Sequence, residues 1–193
     1  MNDKEKILLY SSNLWSFANG MLGPLLAVFT EKIGGNILDV SWAWSIYLIV
    51  TGVCAIFIGK YSDHHNKEKI MISGYALTAI FTFAYVWVQT PIHLFLVQAG
   101  LGVALALCNP TWYALYDQYS SAKSSGLTWG LADGEGRILT GIAIVIGGFI
   151  AKIFSFETLF VLMGILQVIA TLYQMKILKK EVEPTTHIKE LDL

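Results

Sequence analysis

Charge-free stretches decide what this chain can become. Ile7 to Thr30, Val40 to Gly59, Ile70 to Tyr116 and Thr158 to Met175 contain no Asp, Glu, Lys or Arg. A helix crossing about 30 Å of hydrocarbon at 1.5 Å per residue needs about 20 apolar residues. The first two stretches are each one span. The third holds two, with Gln89-Thr90-Pro91-Ile92-His93 as the turn between them. The first reads as a span and not a signal peptide, because Asn19 and Pro24 lie within it.

Ile138 to Ala151 is also uncharged, but its 14 residues make only about 21 Å of helix. Lys152 can snorkel outward at one end. At the other end the helix must run back through Arg137, Glu135 and Asp133. The expected spans are therefore 7–30, 40–60, 68–89, 91–117, 122–153 and 157–177. This predicts an all-α membrane protein: one domain of six transmembrane helices over 1–178, and a polar cytoplasmic tail over 179–193.

Composition excludes other classes. The chain is 55% hydrophobic and 14% charged, with mean hydropathy +0.58; soluble domains average about 45–50% and about 25%. A net charge of −1 leaves no basic excess for nucleic acid. Cys54 and Cys108 sit in apolar runs and read as small core residues. No metal site or cofactor motif stands out, and no nucleotide-binding loop supplies ATP chemistry.

Lysine placement sets the expected orientation. Six spans put both termini on one side, with Lys4, Lys6, Lys60, Lys67, Lys69, Lys123, Lys176, Lys179, Lys180 and Lys189; Lys32 and Lys152 fall opposite. Both termini are expected in the cytoplasm and the chain in the cell (inner or plasma) membrane. Trp42, Trp44 and Trp87 suit an outer aromatic belt.

Polar residues concentrate on three spans. Ser12, Ser16, Asn19 and Gly23 share one helical face. Gln98, Gly102, Asn109, Trp112 and Tyr116 form a stripe on the fourth span, and Trp129, Asp133 and Arg137 one on the fifth. A hydrated cavity lined by spans one, four and five is one reading; close helix packing through small and polar residues is the other. Arg137 is the only arginine beside twelve lysines, and an ionisable group within a span is a functional candidate. Asp133 can pair with it at i, i+4. Glu135 projects about 160° away from Arg137, so it needs another partner or is protonated by desolvation.

The loop Gly59-Lys60-Tyr61-Ser62-Asp63-His64-His65-Asn66-Lys67-Glu68-Lys69 resembles the signature loop of the major facilitator superfamily. Gly59, Asp63 and Lys67 match at the right spacing; His64, Asn66 and Glu68 depart from the pattern. Gln98-Ala99-Gly100-Leu101-Gly102-Val103-Ala104 is similar to the family's fourth span, with Leu96 where many members carry arginine. Asp117, Lys123 and Gly147-Gly148 follow in the order of an N-terminal half. The glycine-proline signature of drug antiporters is absent, Ala143-Ile144 standing in its place.

The resemblance implies one major-facilitator-like six-helix bundle, half of a twelve-helix transporter. Asp63 would contact a helix terminus across the domain interface, and Lys67 would pair with Asp117, making Gly59, Asp63, Lys67 and Asp117 a conformational gate. A parallel homodimer would rebuild the full arrangement. The expected function is secondary, proton-coupled transport of a small polar solute. Asn19, Gln98, Asn109, Trp112, Trp129, Asp133 and Arg137 would bind the solute, and Asp133 or Glu135 would carry the proton. The mixture of aromatic, amide and ionic groups favours a sugar. Alternatives are organic anions, amino acids, drug efflux, or a non-transporting membrane subunit. Tyr116-Asp117 and Gly130-Leu131-Ala132-Asp133 resemble the paired motifs of intramembrane aspartyl proteases, but one aspartate falls at a span end, so an enzyme is not expected.

Overall fold

The computed structural model describes residues 3–120 and 126–179. Lys123 and nearly all of the expected tail lie outside them. The described residues are helical: α1 (Asp3–Gly20), α2 (Leu25–Lys32), α3 (Ile37–Ser62), α4 (Lys67–Ala84), α5 (Pro91–Tyr119), α6 (Gly126–Ile153) and α7 (Phe156–Gln174). Single 3₁₀ turns, Tyr85–Trp87 and Met175–Leu178, extend α4 and α7.

Five helices among the described residues are long and apolar enough to cross a membrane: α3, α4 and α7 with their turns, α5, and α6 from Trp129. The expected first span is not one helix. Pro24 brings no backbone N–H, and Gly23 takes φ +26°. The chain crosses the break on short-range bonds, Leu22 N to Asn19 O at 3.4 Å and Leu25 N to Leu22 O at 2.7 Å. The two pieces still run the height of the bundle. Lys4 on α1 meets Glu68 and Tyr119, at the start of α4 and the end of α5. Lys32 at the end of α2 meets Glu157 at the start of α7, 3.1 Å away.

The turns follow from local chemistry. Asn36 starts α3 with a capping box: its side chain accepts from Leu38 N, and Asp39 accepts from Asn36 N, both at 2.8 Å. Asn66, Thr90 and Ser155 cap α4, α5 and α7 through the N–H groups of Lys69, His93 and Thr158.

The core divides into two layers. Phe29, Tyr85, Leu94, Phe156, Phe160 and Met163 pack at the α2 end. Leu8, Met71, Tyr75, Leu115, Tyr119 and Ile177 pack at the α1 end. α1 and the turn that follows it pack closely on α6. A Cβ at Gly147 would overlap the carbonyl of Met21, while one at Gly148 would meet nothing within 4 Å. Backbone cannot yield as a side-chain tip can. Gly147→Ala is therefore expected to cost about 1–3 kcal/mol, as overpacked sites do, and Gly148→Ala close to nothing. Thermal unfolding of the two purified variants checks this; equal melting temperatures would contradict it.

Candidate functional site

A cavity of about 560 Å³ opens between α1, α4, α5 and α6. Asn109, Trp112, Trp129, Asp133 and Arg137, five of the seven expected solute ligands, line it. Ser12 and Ser16 form its α1 wall, and Met71 and Tyr75 its α4 wall. Pro110 lies inside α5 between Asn109 and Thr111, where it withdraws one backbone donor from the helix.

Aromatic rings span the gap between α5 and α6. Trp112 stacks on Tyr116 with centroids 4.8 Å apart and planes at 9°. Trp129 meets Tyr116 edge-on at 5.0 Å and Trp112 at 6.3 Å. Offset and edge-to-face pairs of this kind are favourable beyond the area they bury. Trp112 Nε1 is buried without a hydrogen-bond partner.

The charges follow Trp129 along α6, about one and two turns on. Arg137 Nε donates to Asp133 Oδ2 at 2.6 Å, the i, i+4 pair expected from spacing. The pair is exposed, Arg137 by 78% and Asp133 by 65%. Glu135 faces elsewhere and finds the partner it needed in Asn13, whose Nδ2 donates to Glu135 Oε2 at 2.9 Å. That bond ties α6 to α1. Asn13 stands one residue off the Ser12/Ser16 stripe, so periodicity missed it.

Asn19 and Gln98 are not with the other expected ligands. Both line a second cavity of about 280 Å³, nearer the α2 end. Gly102, the other small member of the α5 stripe, serves packing: a Cβ there would lie 2.8 Å from Tyr47 O on α3.

Of the four expected gate residues, Gly59 and Asp63 meet at the end of α3, and the expected contact of Lys67 with Asp117 is not formed. Asp63 is exposed and closes α3 through its own N–H to Gly59 O at 3.3 Å. A Cβ at Gly59 would meet nothing within 4 Å. Lys67 and Asp117 form no ion pair among the described residues. Their neighbours meet instead: Tyr119 OH donates to Glu68 Oε1 at 2.5 Å, and Lys4 Nζ lies 3.8 Å from the same carboxylate. Sequence reading also missed the buried amides of α7. Gln167 Nε2 donates to Trp15 O at 3.3 Å, and Gln174 accepts from Ser11.

The sequence model of the Major Facilitator Superfamily matches residues 8–192. The chain belongs to the Major Facilitator Superfamily. Its described residues form one helical bundle. Multidrug resistance protein MdtG from Escherichia coli strains K12 / DH10B, SE11 and O8 (IAI1) is similar to it, 27% identical over 113 residues. That match covers 56% of this chain and 28% of the relative. The Major Facilitator Superfamily consists of multi-pass membrane transporters of small solutes, and its membership accounts for apolar helices wrapped around a polar-lined cavity.

Proposed function

We propose that this chain is a secondary transporter of a small neutral solute with a ring face, a sugar being the class its side chains suit. The observation that carries this reading is the 560 Å³ cavity, whose lining brings Asp133 and Arg137 together with Trp112 and Trp129. Pockets for small organic ligands start at about 300 Å³. Asp133 and Arg137 neutralise each other, so the cavity offers hydrogen bonds without net charge. A neutral solute fits that balance better than an organic anion. Asn109 adds an amide and the tryptophans an apolar wall.

Proton coupling follows from the same pair. A proton taken by Asp133 would release the Arg137 guanidinium to bond the solute, linking the two cargoes. Ten lysines against two support cytoplasmic termini, and the cell membrane is the location this reading assigns.

The working unit in this reading is two parallel copies that alternate access. Only 6% of the apolar stretch of α3 and 11% of that of α6 is buried, against 39–44% for α4, α5 and α7. The exposed Asp133–Arg137 pair stands on the same open side. Lipid there would leave ionised groups in hydrocarbon, which is costly. A second cavity of the same kind, facing the first, gives them polar surroundings.

A second reading, export of amphipathic drugs, is favoured by the likeness to the Escherichia coli multidrug resistance protein MdtG and by the aromatic share of the walls. Counterflow in liposomes separates the two. Purified protein is expected to exchange at least one labelled sugar and no organic anion. Exchange of aromatic amphiphiles with no sugar moving would select the second reading. A solute bound but never exchanged would point to a non-transporting subunit.

A further inference from the structure

We infer that the second cavity is a separate solute station, and that the Trp15 side chain is the partition between it and the cavity of Asp133 and Arg137. This deepens the transport reading and rests on it. Trp15 is common to the linings of both cavities. Two contacts hold its side chain and one its backbone. Its Nε1 donates to Thr78 Oγ1 at 3.4 Å, its carbonyl accepts from Gln167, and its ring lies 6.1 Å from that of Tyr75. On α1, Ser12 and Ser16 serve the larger cavity and Asn19 the smaller, with Gly23 just beyond the helix. On α5, Asn109 and Trp112 serve the larger and Gln98 and Leu101 the smaller. Two antiparallel helices thus divide in the same order along the bundle, and Trp15 is the residue that both cavities share.

The chemistry of the smaller cavity names its occupant. Asn19 Nδ2 is buried and has no hydrogen-bond partner, and Gln98 is only 4% exposed. An unpaired buried donor is costly, so the site calls for an acceptor. Trp44, Tyr47 and Tyr85 supply ring-shaped walls. At about 280 Å³ the cavity sits at the lower end of ligand-pocket sizes, which suits a compact uncharged compound of one or two rings bearing a carbonyl or hydroxyl oxygen.

Benzophenone tests this directly. It is an uncharged aromatic ketone, and on irradiation it bonds covalently to nearby C–H groups, those of methionine above all. Met163 lines the smaller cavity and Met71 the larger; both are nearly inaccessible from outside the protein. After irradiation of the purified full chain, peptide mass spectrometry is expected to find label on Met163. Asn19→Leu is expected to cut that label about fivefold, one hydrogen bond's worth, and to leave Met71 labelling unchanged. Asn19→Leu breaks no side-chain amide bond from Nδ2; Gln98→Leu gives an independent second variant with the same expected loss. Met163 unlabelled, or labelled equally in wild type and both variants, overturns the proposal. Solute counterflow persisting beside either result would leave the transport reading standing and remove only the second station.

Discussion

Uptake driven by a pH gradient is expected to disappear in Asp133→Asn, while solute counterflow without a gradient continues at a reduced rate. Asn keeps the size of the side chain and one hydrogen bond to Arg137 but carries no proton. If protonation of Asp133 is what frees the guanidinium from its 2.6 Å contact, the variant uncouples drive from passage. Glu135 offers the internal control. Its partner is the neutral amide of Asn13, and glutamine preserves that contact. Glu135→Gln is therefore expected to retain gradient-driven uptake within about threefold, the effect of weakening one charge-assisted bond to a neutral one at an exposed site. The reverse pattern, Glu135→Gln uncoupled and Asp133→Asn coupled, would move the proton site to Glu135.

The second large effect concerns the open side of the bundle. In a background of Cys54→Ser and Cys108→Ser, Phe57→Cys on α3 with Val145→Cys on α6 is expected to yield covalent dimers with a short bis-maleimide in native membranes. Both side chains are exposed, and both sit on the helices least covered by this chain. Ile80→Cys on α4 with Ile169→Cys on α7 is equally exposed and apolar, but those helices already have neighbours. That pair is expected to stay monomeric. Dimers from the second pair and none from the first would place lipid, and not another copy, against α3 and α6.

Much of this was legible in the residues, for identifiable reasons. A charged group in hydrocarbon is so costly that charge-free runs mark α3, α4, α5 and α7 to within a few residues. The i, i+4 rule located the Asp133–Arg137 contact. The break after Gly20 escaped a hydropathy reading because Gly23 and Pro24 are uncharged; only their backbone chemistry marks it. Periodicity grouped Asn19 with Ser12, and Gln98 with Asn109, because it reports direction around a helix and not height along it. Seven residues are about 10.5 Å of rise, enough to put Asn19 beyond Trp15. The partner of Glu135 depended on how α1 lies against α6, and the family-derived Lys67–Asp117 contact depended on how α4 meets α5. Neither follows from one helix alone.

The most direct test of the account is gradient-driven uptake by liposomes holding purified wild type or Arg137→Leu, with labelled neutral sugars and aromatic amphiphiles as solutes. The account predicts that at least one neutral ring-bearing solute accumulates with wild type. With Arg137→Leu that accumulation should fall roughly tenfold to hundredfold, as loss of a hydrogen bond from a charged donor does. Accumulation by Arg137→Leu equal to wild type would contradict it, because the solute would then pass without the charge pair that lines the cavity.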